Sequence, residues 1–273
     1  MEAYLRDEEV EVLLNDILSN HGYDFTNYSR ASIKRRLTRL FSFDRTPSFA
    51  EFRYRLINDK EYVKRAIEQV TVNVTEMFRD PLFYKSLRDH VIPTLGTYPL
   101  IRIWHAGCST GEEVYSMAIL LKEANLLHKS LLYATDLSPT VLEKANSGLF
   151  PLSSMKQYSE NYILSGGKND FSSYYTANYD HARFDDNLKS KMIFATHNLV
   201  SDRSFNEFQL IICRNVLIYF DKELQARVFS LFDESLQSLG YLALGTKETL
   251  KFSSIAKKFV PVVPKEKIWR KME

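Results

Sequence analysis

The residues most able to do chemistry cluster between Trp104 and Leu121, in "WHAGCSTGEEVYSMAILL". Apolar residues lead into a turn spaced by Gly107 and Gly111, and an amphipathic helix follows. Turns of this shape bind anions through backbone N–H groups and the positive end of the helix. A phosphate loop would carry Lys and then Ser or Thr after its second glycine. Here Glu112 and Glu113 follow Gly111, and two carboxylates repel phosphate. The turn calls for a nucleotide-like ligand that tolerates acids.

The elements around that turn define where such a ligand would lie. From about residue 98 the pattern alternates between strand and helix. The strands are "LIRIWHA", "SLLYATDL", "KMIFATHNL", "FQLIICRNVL", "YLALGT" and "KIWRKM". Between them, "SPTVLEKANSG" reads as a helix with Ser138 as cap, Pro139 in its first position and Gly148 as stop. "DKELQARVFSLFDESLQSLG" reads as a long helix from Asp221 to Gly240. This alternation predicts an α/β fold with a doubly wound, mostly parallel sheet. Residues 7 to about 69 read as helices throughout, punctuated by Gly22 and Pro47. The expected organisation is an N-terminal helical domain over 1–70 and a sheet domain over 71–273. A small subdomain rich in Ser, Tyr and Asn is inserted at 148–190, too long for a simple connection.

In a doubly wound sheet, ligands bind at the carboxyl ends of the strands. This chain places the glycine turn there, Asp136 where an acid hydrogen-bonds ribose, then Asn198-Leu199, and then Arg214, Asn215 and Tyr219. Asn can pair with an adenine edge, and Leu or Tyr can cover its face. Acids, amides and apolar cover suit an adenosine without phosphates. S-adenosylmethionine fits, because a sulfonium and an ammonium replace the phosphates. Upstream, "QVTVNVTEMFRDPLF" alternates if extended, with Val70, Val72 and Val74 on one face and Thr71, Asn73 and Thr75 on the other. Either that polar face covers the ligand, presenting Asn73, Thr75 and Arg79, or it is a solvated edge strand. Asp80 is the expected cap of the next helix, with Pro81 in its first position.

Composition bounds the alternatives. With 36 Lys+Arg against 34 Asp+Glu, the net charge of +2 gives no global pull toward nucleic acid or membrane. Two cysteines suit a reducing compartment, and no His/Cys cluster has zinc-ligand spacing, so no metal is expected. The acidic start argues against a signal peptide, and no apolar run approaches the roughly 18 residues of a membrane span.

The runs "NVTEMFRD", "GCSTGEEVYSMAI", "ATDLSPTVLEKANSGLF" and "CRNVLIYFD", in that order, resemble the CheR-type chemotaxis receptor methyltransferases. The helical start resembles that family's N-terminal domain. The resemblance implies a class I, Rossmann-like methyltransferase; the composition leads to the expectation of a cytoplasmic protein, and nothing in the sequence requires more than a monomer. Such an enzyme would transfer a methyl group from S-adenosylmethionine, leaving S-adenosylhomocysteine, to glutamates on the helical bundle of chemoreceptors. Carried over by motif, cofactor contacts are implied at Asn73, Thr75, Arg79, Glu113, Asp136, Asn198, Leu199, Arg214 and Asn215. Arg79 and Tyr219 are the implied catalytic residues. Two departures stand out: Met77 replaces a common Phe, and Thr246-Lys247-Glu248 stands where many members have His-Ser-Glu.

Other residues carry competing readings. In "SRASIKRRLTRLF", Ile33, Leu37 and Leu40 share a helix face, leaving Arg35, Arg36 and Arg39 exposed on the other. Those arginines are a solvated face, a docking surface for an acidic partner, which the resemblance makes a receptor bundle, or a nucleic-acid contact, which the near-neutral net charge disfavours. Cys108 and Cys213 read as small core residues. Glu112 suits the first turn of a helix. His105 and His197 read as packing or hydrogen-bonding residues. Arg214 is either a salt-bridged structural residue or part of the site. Tyr174, Tyr175 and Tyr179 read as core of the insert.

Overall fold

The computed structural model describes residues 4–25, 28–71 and 75–272. The chain divides into two compact units: Met1–Asn73 with Ile218–Arg227, and Val74–Leu217 with Val228–Glu273.

The first unit is built on the helices Asp7–His21, Arg30–Phe43, Phe49–Asn58 and Lys60–Thr71. Gly22 ends the first in a left-handed conformation, φ 76°, and its N–H closes on Leu18 O, as only glycine does without strain. After Pro47, the Ser48 hydroxyl accepts the Glu51 N–H and starts the third helix. Leu13, Leu14, Ile17, Leu37, Phe52 and Leu56 form the buried interior. The fourth helix buries Tyr62, Val63, Ala66, Ile67 and Val70 at helical spacing. Helix therefore wins over the expected extended run at Val70, and the rest of that alternation, 72–74 with Asn73, lies outside the described residues.

Arg35 and Arg39 are exposed as expected, but Arg36 is half-buried. One residue on from Arg35 is a turn of about 100° around a helix, which carries Arg36 to the flank. Its guanidinium donates to Val70 O and lies 4.6 Å from the centre of the Tyr219 ring. Burial lowers its pKa. The reading of three equivalent exposed arginines is corrected to two.

The second unit is organised by a seven-stranded sheet. In chain order the strands of the unit are β1 (Ile101–Ala106), β2 (Ser130–Asp136), β3 (Leu149–Pro151), β4 (Tyr175–Asn178) and β5 (His181–Phe184). They continue with β6 (Met192–Thr196), β7 (Phe208–Cys213), β8 (Leu236–Leu244), β9 (Phe259–Val263) and β10 (Ile268–Lys271). The main sheet runs β6-β2-β1-β7-β8-β10-β9. The pairs from β6 through β8 are parallel, and β10 is antiparallel to both its neighbours. Every residue of β7 is buried, as a strand with both faces covered requires. The direction of winding reverses at β1, whose neighbours are β2 and β7, and that crevice is where doubly wound folds bind ligands.

Two expectations fail in this unit. The helix starting at Lys222 ends at Ser235, and β8 begins at once at Leu236, so Gly240 is no helix stop. Leu236 instead pairs with Phe208, and the register then jumps to Leu210–Tyr241. The jump presses the backbone together: a Cβ on Gly240 would lie 2.9 Å from Gln237 O. The insert folds as a sheet ordered β3-β5-β4 with the helix Met155–Leu164. Its core takes Phe150, Tyr158, Tyr162, Phe171, Tyr174 and Phe184. Tyr179 is not part of it, being 95% exposed at the β4–β5 turn.

Candidate cofactor site

The turn after β1 is held by β2. Gly107 and Cys108 both donate their N–H to Thr135 O, at 2.8 and 2.9 Å. Gly107 has φ 79°, and a Cβ there would meet Val216 Cγ2 at 2.5 Å; at Gly111, φ 94°, it would meet Ala145 Cβ at 2.9 Å. Both glycines are thus demanded by backbone conformation and by close approach. Asp136, at the end of β2, accepts the Ser109 N–H at 2.9 Å and the Ser138 N–H at 3.1 Å. Ser138 occupies the cap position without a side-chain bond, and its own N–H is one of the two that Asp136 accepts. Burial pushes the Asp136 carboxyl above its ordinary value against these donors.

The two glutamates of the turn have different surroundings. Glu112 is buried and accepts from the Thr110 hydroxyl at 2.6 Å; desolvation pushes its carboxyl up to about 7. Glu113 lies 2.9 Å from His105 Nδ1 and 3.5 Å from an Arg214 nitrogen. Burial works to raise Glu113, but His105 and Arg214 hold it below the ordinary carboxylate range. Arg214 continues the chain of charges to Asp80 at 2.5 Å, donates to Arg79 O at 3.3 Å, and stacks 4.0 Å over Phe83. It is therefore both salt-bridged and at the site, and the alternatives left open by its sequence position are not exclusive.

That arginine explains the turn before it. Phe78 and Asp80 have φ of 52° and 56°, a costly conformation for residues with a Cβ. The turn is held from three sides: Phe78 N–H on Ser116 Oγ at 2.9 Å, Met77 O on Asn161 Nδ2 at 3.0 Å, and the Arg214 contacts. Asp80 precedes the helix at Pro81 but makes no side-chain cap bond; its carboxylate turns to Arg214 instead. Met77 is fully buried. Thr75 and Arg79 are half-buried on this loop.

At the end of β7, Asn215 has φ 62°. The residue fixing it was not singled out for this task by its sequence position: Glu248, after β8, is buried and accepts four backbone N–H groups. They are Gly245 at 2.6 Å, Leu217 at 2.8 Å, Val216 at 2.9 Å and Asn215 at 3.1 Å. The only signal in the sequence is an acid two residues past the "GT" that closes β8. Asn198 accepts the Val200 N–H at 2.9 Å and donates its own to Asp202 at 2.8 Å, and Leu199 is buried beside it. Cys108 and Cys213 are buried, and burial pushes both thiols well up. His197 packs edge-on to Trp104.

The structure thus joins Glu113, Arg214 and the backbone of Arg79 in one cluster, sets Asp136 on the glycine turn, and puts Asn215 at the neighbouring strand end. Tyr219 belongs to the helical unit, where it stacks on Arg36. The residues fit an adenosine with a cationic tail. A carboxylate accepts about four hydrogen bonds, so Asp136 keeps capacity for ribose hydroxyls. Arg214 Nε is buried without a partner among the described residues, an unmet donor at the rim.

Comparison with known proteins agrees. The CheR methyltransferase SAM-binding domain matches residues 73–265, and the CheR methyltransferase all-alpha domain matches residues 8–71. Cher3 of Pseudomonas putida, assigned to the methyltransferases, is 46% identical over 266 residues, covering 97% of each chain. The chemotaxis protein methyltransferase of Salmonella typhimurium is 32% identical over 253 residues, 89% of this chain and 81% of its own. That of Listeria innocua is 30% identical over 231 residues, 84% and 85%. With both family domains matched in order and the motifs gathered at the switch of an α/β sheet, this chain belongs to the CheR methyltransferases and is an S-adenosylmethionine-binding methyltransferase.

Proposed function

We infer that the chain methylates glutamate side chains on the cytoplasmic helical region of chemoreceptors, giving glutamyl methyl esters. The printed names of the Salmonella and Listeria relatives, both chemotaxis protein methyltransferases, support the pathway. The observation that carries the substrate class is the Arg79 turn. Arg79 stands between Phe78 and Asp80, both in a strained conformation, and Arg214 anchors its carbonyl; this supports giving its permanently charged, bidentate donor the role of orienting the acceptor. Such a donor suits a carboxylate acceptor.

S-adenosylmethionine supplies an electrophilic methyl group on a sulfonium when bound. A glutamate side chain, with an ordinary pKa of about 4.3, is already an anion at neutral pH. Transfer would balance with a carboxylate oxygen gaining the methyl carbon and the sulfonium keeping the electron pair of the broken bond. No proton moves, so no general base is needed. The protein's tasks are orientation and exclusion of water. Arg79 would orient the carboxylate, Glu113 would face the cationic end of the cofactor, Asp136 would take the ribose, and Asn198, Leu199 and Asn215 would take the base. Membership of the family carries over cofactor contacts to Asn73 and Thr75 and a catalytic role to Tyr219. Arg35 and Arg39 offer an exposed cationic stripe to the acidic receptor helix.

The test is transfer of labelled methyl to membranes carrying chemoreceptors, wild type beside Arg79→Ala. Base-labile label on receptor bands, reduced roughly 100-fold or more in the variant as for loss of an orienting charge, is expected. Absence of label on any receptor, with cofactor binding intact, overturns the reading and moves the acceptor search to other molecules.

A further inference from the structure

We propose that Glu248 is a positioning residue of the cofactor site, acting through Asn215. This rests on the reading that Asn215 binds the adenosine end of the cofactor. The carboxylate lies between two strand ends separated by more than thirty residues. Oε2 accepts Gly245 and Asn215, and Oε1 accepts Val216 and Leu217. Three of the four donors belong to the turn after β7, and the fourth to the end of β8. In that turn Asn215 holds φ 62°, a conformation a side-chain-bearing residue keeps only when its surroundings impose it. Successive N–H groups converging on one carboxylate are such a constraint, since each is charge-assisted.

The space around the clamp argues the same. A Cβ on Gly245 would lie 2.7 Å from Glu248 Oε2, 2.8 Å from Asn215 N and 3.2 Å from Asn215 Nδ2. Gly245 is not in a left-handed conformation, so its lack of a side chain is required by closeness alone. Glu248 thus fixes the backbone from which the Asn215 side chain departs, and Gly245 leaves the space that the Asn215 backbone N–H and amide occupy. Glu248 touches no reacting atom in this arrangement. Its effect falls on cofactor affinity rather than on the transfer step.

The experiment measures cofactor Kd by calorimetry and separates KM from kcat in methyl transfer for Glu248→Gln, Gly245→Ala, Asn215→Ala and the double variant Glu248→Gln with Asn215→Ala. Asp233→Asn, which loosens the salt bridges to Lys258 and Lys271 far from the turn, controls for general destabilisation. An amide turns an NH2 group toward backbone donors, so Glu248→Gln raises Kd and KM about tenfold or more, with kcat changed less than about threefold. Gly245→Ala keeps every acceptor and wedges the clamp apart, moving KM the same way; it decides the matter if Glu248→Gln does not fold. The double variant binds no more weakly than Asn215→Ala alone. Weakened binding in Asn215→Ala with unchanged Kd in folded Glu248→Gln and Gly245→Ala overturns the role of Glu248 and leaves the Asn215 reading intact. Unchanged Kd in Asn215→Ala overturns that reading and, with it, the route proposed for Glu248. An equal loss in Asp233→Asn also overturns the proposal.

Discussion

Glu112 and Glu113 are adjacent in sequence and sit in opposite environments. Glu113 has His105 and Arg214 to hold its charge; Glu112 has a hydroxyl and little water, so its carboxyl rises from 4.5 to about 7. The folded state therefore favours the protonated form of Glu112. Its contribution is fully present below about 4.5 and is lost as pH rises to about 7, where the buried charge must be carried. Glu112→Gln, which cannot ionise, should gain on the order of 2–3 kcal/mol over wild type between pH 5 and pH 8. Urea unfolding at both values checks this, and a constant difference would sink it. At this scale the sequence made the placement of Asp136 and Arg214 at strand ends, and of Glu113 in the first turn of the helix after the glycine turn, legible. It did not reveal the work of Glu248, whose donors come from another strand end, nor the inward turn of Arg36, since both depend on contacts distant in sequence.

Among the elements, the glycine turn is the most constrained. Gly107→Ala combines a left-handed φ of 79° with a contact of 2.5 Å to Val216, and should cost about 2–4 kcal/mol. Adding Val216→Ala relieves the clash but not the backbone cost, so the double variant should recover part of the loss. A double-mutant cycle in urea reads the coupling, and strict additivity would exclude the contact as the cause. Strands flanked by turn residues and rich in branched side chains were readable, as was the helix between Ser138 and Gly148. The strand β9, "FVPVV", was not: Pro261 argues against a strand. It is tolerated because β9 pairs only with β10 at the sheet edge. The helix after Asp221 was read too long because Leu236 continues an apolar spacing that the sheet claims instead.

For the molecule as a whole, ligand choice should follow the acids of the turn. S-adenosylmethionine or S-adenosylhomocysteine at about 100 times Kd should stabilise the fold by about 2.7 kcal/mol, raising the thermal midpoint by about 5–10 °C. ATP should not, because its phosphates would meet the Glu113 carboxylate, which His105 and Arg214 hold ionised. Equal shifts with ATP would mean that the turn binds phosphate after all. The α/β architecture and the order of motifs were legible because alternation of strand and helix is a long-range pattern that local errors do not erase. The internal fold of the insert was not, since short strands among Ser, Tyr and Asn carry little periodicity.

The insert also has a closed perimeter. Gly148 O, where it leaves the main body, accepts the Phe184 N–H at 3.0 Å, where it returns, and β3 and β5 pair at the same place. A segment tied at its neck can be lengthened, trimmed or exchanged at little entropic cost to its host. Descendants of this gene could therefore graft a new module onto that neck while the transfer chemistry passes on unchanged.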